Sequence, residues 1–297
     1  MYLRFLSLLL LAAAVFISAC SKAEQPVVAE KHYIEPLPGP KVPPSQAALR
    51  VCADPNNLPF TNSKEEGFEN KIASLIASEM HIPVEYTWWA QRRGFFRNTL
   101  RSGMCDVVLG VPNGSERAET SKPYYRSSYV FVTRKDRNLD IQSFDDPRLR
   151  ELKIGVQMIG DDGRNPPPVH ALSNRGIINN LKGYTVYGDY KEESPPAKII
   201  NAVAKGEVDI AIVWGPLAGY FAAKQPVPLT IRPVVPETDP DLPFAYDISF
   251  GVREGEDDFR AKIENILARK KTNVEKILQQ YHVPVVEGSQ AKKEDVE

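Results

Sequence analysis

The chain has 297 residues, of which 42% are apolar, enough for a packed core in each of two ordinary domains. Its 37 basic and 38 acidic residues nearly cancel, so no global field gathers nucleic acid or an anionic membrane surface, and a nucleic-acid partner is not expected.

The first twenty residues, MYLRFLSLLLLAAAVFISAC, hold one basic residue (Arg4), an apolar run from Phe5 to Ile17 and then small residues. The run is short for a membrane span and has the form of an export signal. It closes on ISAC, which resembles a bacterial lipobox. That resemblance implies that Cys20 is acylated and becomes the first mature residue; the alternative is cleavage after a small residue with the cysteine unmodified. Either way the protein leaves the cytoplasm for the periplasm. Residues 21–47 are rich in proline and lack apolar periodicity, so they read as an extended tether, and residues 286–297 read as a polar, disordered tail.

From Ala48 the signals alternate. ALRVCA is a buried-strand run, and GFENKIASLIASEM sets Phe68, Ile72, Leu75, Ile76 and Met80 on one helical face. PVEYTWW predicts a second strand, QRRGFFRNTLRSG a second helix and CDVVLGV a third, continuously apolar strand. This βαβαβ order implies a parallel sheet. It returns after Lys153 as strand KIGVQMI, helix HALSNRGIINNL, strand YTVYGDY, helix PPAKIINAVAKGEV and strand DIAIVW. In LRSGMCDVVLGV and VAKGEVDIAIVW a helix stops at Gly103 or Gly206, and Asp106 or Asp209 opens an apolar strand. Glycine fits a left-handed cap and the aspartate can accept backbone hydrogen bonds at the turn.

Between the units lies YRSSYVFVTRKD, and after the second comes LPFAYDISFGVREG, both strand-like. If the chain crosses between lobes at each, two hinge crossings result and the final helical stretch DDFRAKIENILARKKTNVEKILQQYH packs back on the first lobe. The expected organisation is lobe 1 over residues 48–133 plus 246–285 and lobe 2 over 134–245. Ligands of open parallel sheets sit beyond the carboxyl ends of the strands. That places the loop Asp54 to Asn57, the loop Pro112 to Arg117 with Asn113, and Trp214 to Pro216 around the cleft.

This layout resembles the periplasmic solute-binding proteins of ABC importers, family 3, carried by LPF after strand one, GFENKIA, the G..D turn, ERAETSKPYY and IGVQMIG. A longer resemblance is carried by VCADPNNLPF, WWAQRRGFFRNTL, CDVVLGVPNG, KPYYRSSYVFV, GYTVYGDY and VDIAIVWGPLAGYFA. These segments are similar to the branch associated with PQQ-dependent quinoprotein dehydrogenases, the MxaJ/XoxJ type. The resemblance implies a two-lobed α/β periplasmic-binding-protein fold (type II-like). It also implies an accessory role in maturing or activating a PQQ-dependent methanol or alcohol dehydrogenase by protein contact. The alternative is an importer subunit that closes on a small polar or anionic solute, and an enzyme built in the cleft comes third.

Cys52 and Cys105 fall on the first and third strands of one unit, which are neighbours in sheets of this order. In an oxidising compartment the pairing argues for a disulfide, with reduced cysteines packed in the core as the alternative. Neither segment offers the histidine that a catalytic cysteine wants. Arg117 matches the family arginine that pairs with a ligand carboxylate, or else locks the lobe. Pro112 stands where amino-acid binders have Ser or Thr, and Trp214, Gly215 and Pro216 stand where they offer an aspartate, so ordinary amino-acid binding is disfavoured. Asp54, Asn56 and Asn57 are ligand contacts or simple turn formers. Trp88, Trp89 and Trp214 stack on a ligand, anchor a partner or fill a lobe core, and Tyr124 and Tyr125 near the cleft rim divide the same way. Arg92, Arg93 and Arg97 form a solvated basic face or an electrostatic docking patch. His32, His81, His170 and His282 have no metal-ligand spacing, and Asp161 and Asp162 read as a turn, so no metal, cofactor or catalytic constellation is expected.

Overall fold

The computed structural model of the protein describes residues 43–158, 165–185 and 190–287. Cys20, the leader, most of the tether, Asp161, Asp162 and the end of the tail lie outside the described residues. The first half runs β1 (Leu49–Ala53), the short pair β2 (Asn56–Asn57) and β3 (Thr61–Asn62), α1 (Phe68–Met80), β4 (Val84–Trp88), α2 (Phe95–Asn98), β5 (Val108–Pro112), β6 (Glu119–Thr120) and β7 (Tyr125–Arg134). The second continues through β8 (Ile154–Met158), α3 (Pro167–Asn174), β9 (Leu181–Thr185), α4 (Lys198–Lys205), β10 (Ile210–Trp214), α5 (Gly215–Ala222), β11 (Leu229–Pro233), β12 (Thr238–Asp239), β13 (Leu242–Pro243), β14 (Ala245–Val252), α6 (Asp257–Arg269) and α7 (Lys271–Gln280).

In the first lobe β1 lies parallel to β4, with Leu49 opposite Val84, and bridges in parallel to Val107 on its other side. In the second, β9, β8 and β10 are parallel neighbours. The link between them is a pair of long antiparallel strands. β7 pairs with β14 over Tyr125–Ser128 and then with β10 and β11 over its second half, so one strand belongs to both lobes.

Alternation along the strands explains the continuous apolar runs of lobe two. Ile210 and Ile212 join Phe131 and Ile154 on one face, while Ala211 and Val213 join Val130 and Val132 on the other. A sheet covered on both faces needs apolar side chains at every position. Lobe one has a single main core, in which Phe68, Ile72 and Ile76 of α1 are fully buried against Leu49, Val51, Phe250 and residues of α6 and α7. Burying each of these side chains contributes about 2 kcal/mol, which fixes α1 and the last two helices on one sheet face.

The two glycine–aspartate turns share a function as well as a pattern. Gly103 and Gly206 have φ of 76° and 74°, the left-handed region in which a Cβ is costly. Asp106 accepts the Ser45 amide at 3.0 Å just ahead of β1, and Asp209 accepts the Lys153 amide at 2.9 Å just ahead of β8. Each aspartate also holds an arginine: Arg50 at Asp106 and Arg137 at Asp209.

Four expected elements are shorter or divided. The predicted helix over QRRGFFRNTLRSG shrinks to Phe95–Asn98, because Gly94 enters it left-handed (φ 86°) and the Thr99 hydroxyl turns back to the Phe95 carbonyl at 2.7 Å. The helix expected over HALSNRGIINNL runs instead over Pro167–Asn174 and stops before Gly176, which has φ of 68°. The strand read as YTVYGDY is shifted forward to Leu181–Thr185, and residues 186–189 lie outside the described residues. The final helical stretch breaks at Lys270, whose backbone (φ −102°, ψ 19°) leaves the helical region. In addition, Trp214 is no mere loop residue but caps α5 in extended conformation, with Pro216 in the first turn where its missing N–H costs nothing.

Cys52 and Cys105 form a disulfide with Cα atoms 5.5 Å apart and a sequence separation of 53. It packs with Phe95, Leu100, Val108 and Val111 in a satellite core. A loop of that length implies about 4 kcal/mol of stabilisation on the chain-entropy account. Cys52→Ser with Cys105→Ser should therefore lower the melting temperature markedly in oxidising buffer. Adding reductant to the native protein should give the same loss, and an unchanged melting temperature in both would refute a stabilising bridge.

Candidate functional site

Where β7, β10 and β14 meet, their side chains form an aromatic floor. Tyr129 and Trp214 are direct ladder partners with ring centroids 5.3 Å apart, and Tyr246 stands 5.8 Å from Trp214 and 6.5 Å from Tyr129. The Trp214 amide donates to Oε1 of Gln157 on β8 at 3.0 Å, which fixes the indole at the mouth of α5. The three rings are half-buried, so they serve as packing on one side and as surface on the other.

The loop behind β1 is built by Asp54. Its buried carboxylate accepts the amide of Asn56 at 2.8 Å and that of Gln91 at 2.7 Å, which ties this loop to the one after β4. Burial raises the Asp54 pKa, and those two amides together with Arg92 work against the rise. Asn57 donates to Oε1 of Gln91 at 3.0 Å, while Asn56 reaches the other lobe and donates to the Glu192 carbonyl at 2.7 Å. Leu58 follows it across and packs against the core that contains Ala197, Leu217 and Phe221. Tyr190 is exposed, and partial desolvation together with the nearby charge of Asp54 pushes its phenol up to about 12. Trp89 is exposed and Trp88 stacks on Tyr86 at 4.4 Å, within the first lobe.

A second join lies beside α5. Tyr220 stacks on Tyr281, the residue that caps the end of α7, at 5.6 Å and 15°. A Cβ on Gly219 would stand only 1.8 Å from the His282 carbonyl, so only glycine allows this approach. The chain then runs on along β7, with the Ser127 hydroxyl donating to the Pro284 carbonyl at 2.6 Å and the Val286 amide to the Arg126 carbonyl at 3.1 Å.

Sequence reasoning passed over Glu69. It stands in the first turn of α1, an ordinary place for an exposed acidic residue, yet it is 7% exposed. Its Oε1 fills the space a Cβ on Gly110 would need, 2.2 Å from that position, and Gly110 itself is left-handed (φ 69°). Tyr86, Tyr124 and Tyr125 are the titratable groups that feel its charge, and none is a cation. Burial alone raises the Glu69 pKa to about 8. The Tyr124 hydroxyl accepts the Gly110 amide at 3.3 Å, and burial holds its phenol far above the usual range. GFENKIA gave no sign of this, because burial of one helical position depends on what packs over it.

The Asn113 side chain donates to the Ser121 carbonyl at 2.9 Å and to the Ser249 hydroxyl at 3.0 Å. Arg117 is exposed on the loop between β5 and β6, where its carbonyl accepts from Arg101 at 3.3 Å. Arg92, Arg93 and Arg97 are exposed too. Among the described residues no group of three or more His, Cys, Asp or Glu side chains could hold a metal ion, and no helix is long and apolar enough to cross a membrane.

The family model for the bacterial extracellular solute-binding proteins, family 3, matches residues 49–284. The chain is 30% identical over 256 residues to the protein MoxJ of Methylorubrum extorquens AM1, a match that covers 82% of this chain and 83% of that one. The crystal structure of the periplasmic binding protein XoxJ from Methylobacterium extorquens AM1 matches with a TM-score of 0.66 at 35% identity, over 81% of this chain and 100% of that one. That of MxaJ from Methlophaga aminisulfidivorans MPT matches with a TM-score of 0.70 at 25% identity, over 80% of this chain and 100% of that one.

Proposed function

The chain belongs to the bacterial extracellular solute-binding proteins, family 3, a family of periplasmic binding proteins rather than enzymes, and on that premise we propose that it is an accessory protein of a PQQ-dependent methanol or alcohol dehydrogenase. It acts by protein contact in the maturation or activation of that enzyme. Its similarity to MoxJ, XoxJ and MxaJ along four-fifths of its length supports the partner class.

One observation carries the choice over solute import: the cleft candidates use their polar groups on the protein itself. Asp54 holds two backbone amides, Asn57 holds Gln91, Asn113 holds Ser121 and Ser249, and Asn56 spans to Glu192. A solute receptor needs convergent, uncommitted polar groups from both lobes. Arg117, the one candidate with an uncommitted charge, stands on an exposed loop. Trp89, Tyr124 and Trp214 remain contact candidates through their rings. We place the return crossing at 245/246 and the first crossing within β7 near Ser128, earlier than the expected 133/134, because Val130, Phe131 and Val132 pack in the cores of the second lobe, and we assign residues 1–20 to a removed leader whose Cys20 carries the lipid anchor.

The test is a calorimetric titration of the protein from Ser21 onward against the purified dehydrogenase of the same source, beside a thermal-shift screen of small polar and anionic solutes. Saturable dehydrogenase binding with no solute shift is expected. A solute that raises the melting temperature dose-dependently, without dehydrogenase contact, would overturn the reading.

A further inference from the structure

Most arginines of the described chain sit on a carboxylate, as Arg50 does on Asp106, Arg134 on Asp136 and Arg175 on Asp239. Among the described residues the exceptions are Arg150, Arg269 and five that fall within one stretch, residues 92–117. Arg92, Arg93, Arg97, Arg101 and Arg117 are all exposed, and among the described residues none of them forms an ion pair with a carboxylate.

Their arrangement is fixed from below. Phe95, Thr99 and Leu100 are buried, and the disulfide and the Arg253 side chain, which donates to the Leu100 and Cys105 carbonyls, anchor the same segment. Backbone hydrogen bonds from Asn98 to the Gly94 carbonyl, Thr99 to Phe95 and, across five residues, Arg101 to Phe96 tie the chain leaving α2 back onto it. Arg97 lies in α2, Arg93 just before left-handed Gly94 and Arg101 just past the helix end at Thr99, so the three are grouped by one short, tightly anchored segment and not by a helical repeat. Arg101 joins the next loop to this row, donating to the Glu116 carbonyl at 3.2 Å and to the Arg117 carbonyl at 3.3 Å. Arg92 is near enough to buried Asp54 and to exposed Tyr190 for its charge to act on both. Glu116 is the carboxylate on the same loop, so the face keeps a strong positive excess.

We propose that Arg92, Arg93, Arg97, Arg101 and Arg117 form one guanidinium face that docks an acidic surface of a protein partner. The inference rests on the dehydrogenase reading and names the surface through which that contact is made. Guanidiniums suit it because they are weakly hydrated and reach carboxylates through two parallel hydrogen bonds. A chain with a net charge of −1 has no long-range attraction to anions, so recognition depends on this local excess and on a partner shaped to meet it. Arg117 thereby changes role, from solute contact to partner contact.

The test compares the native protein, Arg93→Gln/Arg97→Gln/Arg117→Gln, and a control triple of exposed lysines elsewhere, Lys205→Gln/Lys262→Gln/Lys276→Gln, in titrations against the dehydrogenase at several salt concentrations. The arginine triple should weaken binding about tenfold or more at low salt and flatten its salt dependence, with an unchanged melting temperature. The lysine control should change binding less than about twofold. If the arginine triple binds like the native protein, the face is overturned and the dehydrogenase reading stands. If the native protein fails to bind at any salt, or binds only anionic lipid vesicles through these arginines, both are overturned.

Discussion

Asp106→Asn is expected to destabilise the protein by about 3–5 kcal/mol, the cost of removing one partner from a buried ionic cluster. The carboxylate is fully buried and accepts from Arg50 Nε at 2.8 Å, Arg50 Nη2 at 2.5 Å, Arg253 Nη2 at 2.8 Å and the Ser45 amide. Burial by itself would raise its pKa, and these hydrogen bonds outweigh burial and hold it below the ordinary aspartate value. An amide side chain leaves two guanidiniums facing each other with no charge between them; Glu256, 2.5 Å from Arg253, compensates only the second. The cluster ties the entry to β1, β1 itself and the exit of β14, so its loss loosens the first lobe at both chain ends. The depressed pKa adds a pH signature: the Asp106 contribution is present above the unfolded-state value near 4 and is lost as pH falls through the folded value. Urea unfolding at pH 7 checks the size, and an unfolding free energy within about 0.5 kcal/mol of the native one would refute the account.

Glu69→Gln is expected to act in the opposite direction. The folded carboxyl has a pKa of about 8 against about 4.5 in the unfolded chain. Below the unfolded value both states hold the proton and the group is neutral to stability. Between the two values the unfolded chain releases the proton and the folded chain keeps it, so stability falls by about 1.4 kcal/mol per pH unit; above the folded value the loss is complete. Glutamine has no such titration. The variant should therefore gain on the native protein from pH 5 to pH 8, by roughly 3–5 kcal/mol at the upper end. The observable is the difference between the two unfolding curves, because other groups titrate in both. A pH-independent difference would show that Glu69 is ionised in the fold and has an unrecognised partner.

The two residues show how unevenly the sequence exposes its physics. Asp106 was legible: a helix-stopping glycine, then an aspartate opening an apolar strand, twice in one chain, states that a carboxylate is needed at that turn. The arginines that complete it were not, since Arg253 lies 147 residues away. Glu69 carried no signal at all, because an acidic residue in a first helical turn is common and only Gly110, Tyr124 and Tyr125 closing over it make it unusual. The docking row was half legible; Arg92, Arg93 and Arg97 stand out in a single segment, whereas Arg101 and Arg117 join them only through a hydrogen bond between two loops.

What the sequence determined by itself was what local pattern encodes: the strand and helix order and the doubling of the unit, while for Cys52 and Cys105 it offered neighbouring strands and left reduced cysteines as the alternative. The order and the doubling follow from side-chain period and from the stereochemistry of glycine, proline and aspartate, which act over a few residues. Helix lengths escaped it wherever a single backbone angle at Gly94, Gly176 or Lys270 overrode a favourable run. Only the tertiary structure decided which polar groups are committed. Asn56, Asn57 and Asn113 look like ligand contacts in a line of text, and become internal fasteners when the fold brings carbonyls and side chains from up to 136 residues away to within 3.0 Å. Whether a hydrogen-bonding group is free for a ligand is a property of its neighbours in space, and its own residue type carries no record of them.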